Sequence, residues 1–333
     1  MLFCLKEFPS REELKYRIII STKPPKECVE DKSFQGKQNK SQNLKDSDEC
    51  VWGKEQSSLT SDDSDQQNND KSDSDWRKPK AGLKEALRVG IDKVRQLSLS
   101  EQALENAAES YGLDVVRFTQ KHILRVYPIG TRFNSSNYNP RIGWMHGAQM
   151  VAFNMQGYDK ALWLMHGMFR SNGRCGYVKK PDFLTNIGPH NQLFNPKARM
   201  PVKKTLKVKL YMGDGWHLDF KKTHFDLYSP PDSYTRVGIA GVPADEIMKK
   251  TKIKKDSWTP VWDEEFSFPL TVPELALLRI EVKQHDIAEK NDFAGQTCSP
   301  VSELRPGICA VPLCDQKGKK FNSVRLLMCF EFV

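Results

Sequence analysis

The stretch Ile123-Leu-Arg-Val-Tyr-Pro128, taken with Ser98-Leu-Ser-Glu101 upstream, decides how the first half of this chain folds. An aliphatic and aromatic run that ends at a proline predicts a strand over 123–127. Period-two geometry sets Ile123, Arg125 and Tyr127 on one face and Leu124 and Val126 on the other. An arginine and a phenol on one face make poor core, whereas a planar five-donor guanidinium suits a phosphate ester. Pro128 places both side chains at the C-terminal end of the strand, the end that carries binding and catalysis in β/α barrels. Ser98-x-x-Glu101 reads as a capping box. It predicts a helix that opens at Ser98, runs through Ala103, Leu104, Ala107 and Ala108, and stops near Gly112. Ser98 has a structural task as that N-cap, and the same N-terminus also suits a phosphate, with its free N–H groups and positive dipole end.

Working outward, residues 82–198 alternate helical and strand-like stretches, as α/β folds do. A further strand is expected over 149–154, a helix over 158–169 and a short strand over 176–178. From Lys203 the pattern changes to strands and turns. Leu206, Val208 and Leu210 alternate with lysines, Leu278, Ile280 and Val282 alternate with charges, and Val324, Leu326, Met328, Phe330 and Phe332 share one face. Short strands separated by Gly, Pro and Asp predict a β-sandwich over 203–333, with the boundary near 195–201. Residues 1–31 resemble the end of a folded unit, with a buried strand in the Tyr16-Arg-Ile-Ile-Ile20 run. Residues 32–80 are rich in Ser, Asp, Asn, Gln and Lys, with almost no aliphatics, and are expected to stay disordered for want of apolar area to bury.

Composition narrows the function. The 333 residues carry a formal charge of +9, placed unevenly. Residues 44–75 hold ten acids and three bases, and residues 1–43 nine bases and six acids, so the body from 76 onward has an excess of 13 bases. A basic body with an acidic insert points to an anionic partner and to an internal competitor for it. Bases and aromatics do not interleave and no zinc-finger or RNP pattern occurs, which argues for an anionic membrane over nucleic acid. Mean hydropathy is −0.60. No run approaches the ~18 apolar residues of a membrane span, and Met1–Leu5 is too short for a signal core. The eight cysteines form no CxxC pair, so reduced thiols in a cytoplasmic protein are expected and a zinc site is not.

Two acid pairs punctuate the sandwich. Asp226 lies six residues before Asp232, and Asp286 six before Asp292. Each pair flanks a presumed inter-strand loop. Aspartates are ordinary turn residues. Four carboxylates at one end of a sandwich are also what Ca²⁺ takes. Lys249-Lys-Thr-Lys-Ile-Lys-Lys255 is a basic run suited to anionic headgroups. His146 and His166 read as packing or surface residues.

At this point the motifs resemble a known family. Arg125-Val-Tyr-Pro-Ile-Gly-Thr-Arg-Phe-Asn-Ser-Ser-Asn-Tyr-Asn-Pro140, Trp144 and Asn172-Gly-Arg-Cys-Gly-Tyr-Val-Lys-Lys-Pro181 resemble the Y half of phosphoinositide-specific phospholipase C, plant type. Asp232-Ser-Tyr-Thr-Arg-Val237, Pro260-Val-Trp-Asp-Glu-Glu-Phe266 and Asn291-Asp-Phe-Ala-Gly-Gln296 resemble the C2 domain that follows it. Residues 4–25, with Ile18-Ile-Ile-Ser-Thr-Lys23, are similar to the end of the X half.

The resemblance implies an α/β plus all-β architecture. Residues 1–31 end the X half, 32–80 form an acidic X–Y linker, 82–198 form the Y half of a distorted TIM-type barrel, and 203–333 form an eight-stranded C2 sandwich. It implies Ca²⁺-dependent hydrolysis of phosphatidylinositol 4,5-bisphosphate to inositol trisphosphate and diacylglycerol, at the plasma membrane, in lipid signalling. By motif position Lys23, Ser98 and Arg125 contact ring phosphates and Tyr127 packs on the inositol ring. Asp226, Asp232, Asp286 and Asp292 become the C2 calcium ligands. Gln284 stands where an acid is usual and Thr259 where some relatives carry Asn, which weakens that set. The family's catalytic histidines and its catalytic Ca²⁺ ligands lie in the X half, ahead of this stretch. The expectation is therefore a headgroup-gripping piece that is inactive alone and pairs with an X half. The second expectation is a non-catalytic C2 module that binds Ca²⁺ and phospholipid.

Overall fold

The computed structural model describes residues 12–13, 81–88, 95–130, 132, 134–189, 192–221, 224–225, 229–286 and 292–333. The expectations for Lys23, for the acidic linker and for Asp226 lie outside the described residues.

The first unit alternates strand and helix. After α1 (Ala81–Arg88) come β1 (Gln96–Ser100), α2 (Glu101–Lys121), β2 (Ile123–Tyr127), α3 (Pro140–Met145), β3 (Met150–Val151) and α4 (Lys160–Met168). The three strands form a parallel sheet in the order β1-β2-β3. Leu97, Leu99, Leu124 and Val126 are buried on one face and pack with Leu104, Ala107, Val115 and Phe118 of α2. Ser98, Ser100, Arg125 and Tyr127 alternate onto the other face.

Four sequence expectations need correction. Ser98 does not cap the helix. It sits in β1, because Leu97 and Leu99 continue the period-two burial, and Ser100 is the N-cap, its hydroxyl accepting the Ala103 N–H at 3.3 Å. Nor does the helix stop at Gly112. It breaks locally at Tyr111 (φ −140°, ψ 32°) and resumes, since Val115, Val116, Phe118 and Thr119 again face the core. At Gly112 a Cβ would lie 3.1 Å from His146 Nε2, so glycine serves a close approach there. The strand expected over 149–154 spans only Met150–Val151. The Gln149 side chain takes the backbone partners instead, accepting from Leu124 N–H and donating to Thr119 and His122 carbonyls, each at 2.9 Å. The strand expected over 176–178 is absent, for the chain emerges there from a turn with positive φ at Asn172, Gly173, Arg174 and Gly176.

The second unit holds β4 (Lys204–Asp214), α5 (Trp216–Asp219), β5 (Ser233–Ala240), β6 (Ile247–Lys250), β7 (Val261–Leu270), β8 (Leu277–Gln284), β9 (Phe293–Pro300), β10 (Gly307–Cys314) and β11 (Lys320–Phe332). The eight strands run in the order β6-β5-β8-β9-β10-β11-β4-β7. β9 and β10 join through the single pair Gln296↔Cys314, which lets the sheet turn back on itself as two four-stranded layers. Leu206, Leu210, Ile280, Val282, Phe268, Leu326 and Met328 fill the space between them.

The two units dock through α4. At Gly167 a Cβ would stand 2.5 Å from the Cys298 Cβ. Trp163 and Leu164 pack with Ala240, Leu277 and Cys298. The Arg170 guanidinium donates to Thr297 Oγ1 at 2.8 Å and to the Cys298 carbonyl at 3.1 Å, and Trp163 Nε1 donates to the Gln316 carbonyl at 2.8 Å. Arg141 pairs with Glu246 at 2.6 Å. Cys298 is enclosed by this contact, and burial pushes its thiol up to about 12.

Two expected outcomes follow from the packing. Gly167→Val drives a branched side chain into Cys298, an overpacking that costs about 2 kcal/mol. It should open the junction to limited proteolysis, whereas Gly130→Ala, with nothing within 4 Å, should leave the digest unchanged. Burial also holds His146 below its ordinary 6.5. Below that pH the unfolded chain binds a proton that the folded chain resists, so stability falls as pH drops from about 6.5. Thermal unfolding at pH 7.5 and 5.5 checks this. His146→Gln should reduce the pH dependence, and an unchanged slope would assign it to other groups.

Candidate functional site

β1 and β2 pair in parallel register, with Ser98 opposite Arg125 and Ser100 opposite Tyr127. Side chains at paired positions lie on the same face. Ser98, Arg125 and Tyr127 therefore share the side of the sheet that α2 does not cover. Arg125 is exposed, and its guanidinium carbon lies 5.4 Å from the centroid of the half-buried Tyr127 ring. Among the described residues Arg125 has no carboxylate partner, so its charge is available to a ligand.

The acid that opens α2 is already neutralised. Glu101, the first residue of α2, is buried and held by Arg132, with Nε 2.9 Å from both carboxylate oxygens and Nη2 2.8 Å from Oε1. Hydrogen bonding to Glu101 raises the Arg132 pKa further. Arg132 Nη1 also donates to Ser136 Oγ at 2.8 Å, which ties the loop after β2 to the start of α2. Asn137 fastens that loop to the next one: its Oδ1 accepts the Asn154 N–H at 2.7 Å, and its Nδ2 donates to Asp159 Oδ2 at 3.2 Å. Asp159 in turn caps α4. Tyr138 is buried beside this network with its hydroxyl unpartnered among the described residues. Burial first, and then the Glu101 charge, raises its pKa and keeps the phenol protonated.

Among the described residues the arrangement thus offers the Arg125 guanidinium, the Ser98 hydroxyl and an α-helix that starts at the same strand end. It is suited to hold and orient a phosphate. Sequence reasoning assigned no role to Glu101–Arg132, Asn137 or Tyr138. Their signal lay inside the quoted motif, but their partners are brought in from α2 and from the loop before α4.

At one end of the sandwich, backbone contacts gather three of the four aspartates. His285 N–H donates to the Asp232 carbonyl at 2.6 Å, and Gln284 N–H to the Asp292 carbonyl at 3.0 Å. Asp286 follows in the same loop. Asp232 Oδ1 accepts the Asp256 N–H at 2.9 Å. Among the described residues no group of three or more His, Cys, Asp or Glu side chains is arranged to hold a metal ion. The carboxylates as placed do not fit a complete Ca²⁺ shell. The basic run is partly committed as well, since Lys249 Nζ donates to the Ser267 carbonyl at 2.9 Å and lies 5.3 Å from the Phe268 ring.

Comparison with known proteins accords with this anatomy. Residues 90–183 match the family described as phosphatidylinositol-specific phospholipase C, Y domain, and residues 204–313 match the C2 domain. The chain is 59% identical, over 98% of its own length, to phosphoinositide phospholipase C 4 of Arabidopsis thaliana, of which it spans 60%. It is 33% identical, over 75% of its length, to 1-phosphatidylinositol 4,5-bisphosphate phosphodiesterase delta-3 of Mus musculus, of which it spans 30%. The crystal structure of S. officinalis PLC21 superposes with a TM-score of 0.64 at 28% identity, covering 73% of this chain and 30% of that one.

Arg132→Gln should leave the buried Glu101 charge without its partner and cost about 3 kcal/mol in urea unfolding. Adding Glu101→Gln should recover part of that loss. If the double variant is no more stable than Arg132→Gln alone, the pair is not what holds this loop.

Proposed function

We propose, for a chain that belongs to the phosphoinositide phospholipase C family through its Y and C2 domains, that these residues form the headgroup-gripping side of a lipid-cleaving site. The reaction served is Ca²⁺-dependent hydrolysis of phosphatidylinositol 4,5-bisphosphate to diacylglycerol and inositol trisphosphate. The observation that carries the reading is Arg125, uncompensated and set opposite Ser98 on the open face of a parallel sheet. Arg125 and Ser98 bind ring phosphates, Tyr127 lies against the inositol ring, and Lys23 adds a second cation from outside the described residues. A β/α barrel turns such a face inward. Among the described residues β1 and β3 are the edges of this sheet, and an X half would pair there to close it. Proton transfer at the 2-hydroxyl belongs to that half. The residues at hand position the substrate and do not cut it.

The C2 unit holds the site at the cytoplasmic face of an anionic plasma membrane. By the family's pattern Asp226, Asp232, Asp286 and Asp292 would be the residues to supply carboxylates to Ca²⁺ there, in a different arrangement of the loops from the one described. A second reading, a non-catalytic C2 module, is supported by the sandwich having its own core and by the backbone contacts that bring Asp232 and Asp292 to one end of it.

Arg125→Ala should weaken binding to vesicles containing phosphatidylinositol 4,5-bisphosphate by roughly tenfold or more, the worth of a charge-assisted hydrogen bond. Unchanged binding would overturn the headgroup role. Purified residues 1–333 should release no inositol trisphosphate from the same vesicles, and release would show that the chain cuts unaided. Asp232→Asn should abolish any Ca²⁺-dependent part of vesicle sedimentation. Calcium dependence that survives it would remove Asp232 from the ligand set.

A further inference from the structure

The sequence contains a single Asn-Gly step, Asn172-Gly173, and the fold sets it in the open. Residues 172–177 are exposed without interruption, just after α4. The backbone there is left-handed at Asn172 (φ 54°), Gly173 (φ 64°), Arg174 (φ 64°) and Gly176 (φ 85°). An asparagine carries its own electrophile, because attack of the following backbone nitrogen on Cγ closes a five-membered imide. A Cβ on the following residue hinders that attack, and glycine has none. A Cβ built at Gly173 meets nothing within 4 Å, so the surroundings leave space for the ring.

Other asparagines lack this freedom. Asn139 and Asn195 precede prolines, which have no N–H to give up. The N–H that follows Asn134 is bonded to the Arg132 carbonyl at 3.1 Å, and the N–H that follows Asn322 to Asp219 Oδ2 at 2.6 Å. The Asn172 amide also closes its own turn. Its Nδ2 donates to Cys175 Sγ at 3.1 Å and to the Tyr177 carbonyl at 3.2 Å. A carboxylate in its place donates nothing and sets an anion against a carbonyl oxygen. The turn spans two fixed points. Arg170 is held by Thr297 and the Cys298 carbonyl on one side, and Lys180 Nζ donates to the Thr119 carbonyl at 2.7 Å on the other. Tyr177 is 79% exposed, so its side chain adds little packing to keep the turn shut.

We propose that Asn172 is a site of spontaneous covalent modification, which converts it to aspartate and isoaspartate and opens the turn. The Gly173 nitrogen bonds to Asn172 Cγ, the Cγ–Nδ2 bond breaks, and ammonia leaves with the proton of the Gly173 amide. Water then opens the imide. Attack at the side-chain carbonyl gives aspartate. Attack at the main-chain carbonyl gives isoaspartate, with the backbone routed through Cγ and the α-carboxylate free. One water is consumed and one ammonia released, with no change of oxidation state. The free α-carboxylate is a methyl acceptor, so the reaction class that consumes this product is carboxyl methylation. Its oxygen takes the methyl group of S-adenosylmethionine, and S-adenosylhomocysteine leaves.

The test is prolonged incubation of the full 333-residue chain in mildly alkaline and mildly acidic buffer. Peptide mapping by mass spectrometry follows the amide, and methyl incorporation from S-adenosylmethionine by a protein isoaspartate methyltransferase follows the isoaspartate. The peptide holding Asn172 should exchange its amide for a carboxyl, appear as two isomers, and react faster in the alkaline buffer, where the attacking nitrogen loses its proton more readily. Asn172→Gln, which would have to close a six-membered ring, should lose most of the methyl incorporation. Asn172→Asp should be cut by trypsin after Arg174 several-fold faster than the unaltered chain, whereas Asn322→Asp should be cut there at the unaltered rate. If the Asn172 peptide keeps its amide while a synthetic peptide of residues 168–180 loses it, the folded turn protects the step and the proposal fails. Unaltered cleavage of Asn172→Asp would overturn the opening of the turn.

Discussion

The site depends on one constraint, the parallel pairing of β1 with β2 under α2, which packs on the face that carries Leu97, Leu99, Leu124 and Val126. Leu97, Leu99, Leu124 and Val126 must be buried, and α2 supplies the apolar surface that buries them. Alternation then leaves Ser98, Arg125 and Tyr127 no choice but the other side. A one-residue slip in either strand would bury an arginine and expose a leucine, so the register that makes the core also sets Ser98, Arg125 and Tyr127 in one row. Binding geometry here is a by-product of burying four aliphatic side chains.

Charge is partitioned to suit that geometry. Glu101 sits at the N-terminus of α2, where a carboxylate is favoured by the helix dipole and would oppose an incoming phosphate. Arg132 neutralises it and anchors the loop after β2 in the same contact. Among the described residues Arg125 is thereby left without a carboxylate partner on that face. A cluster around Glu281 of β8 inverts this balance, with Arg236, Arg279 and Lys283 sharing one acid. The two regions differ in what holds them. Arg125 is placed by a strand register, and the Glu281 cluster by a strand ladder together with the docking of a helix from the other unit.

That docking gives the seam its importance. Gly167 against Cys298, Trp163 against the Gln316 carbonyl and Arg170 against Thr297 bring α4 to van der Waals distance of β9. A Y domain and a C2 domain, each with its own core, are joined as closely as adjacent layers of a single fold.

Much of this was legible in the chain. Local alternation identified β2, the pairs of faces in β4, β8 and β11, and the exposed row containing Arg125 and Tyr127, because period-two burial is written residue by residue. The long motifs around Arg125, Asn172, Asp232 and Pro260 carried the family. The capping box misled, because Ser98-x-x-Glu101 and Ser100 compete for one helix start and only the burial of Leu97 and Leu99 under α2 decides for Ser100. The helix break at Tyr111, the Gln149 side chain that stands in for strand partners, the Glu101–Arg132 pair and the three bases around Glu281 were not legible. Each depends on groups far apart in sequence whose meeting is fixed by packing. Sequence alone determined which side chains point together along an element. Which elements meet, and therefore which charges are neutralised and which remain free to bind, was decided only when the helices and sheets buried their apolar faces against one another.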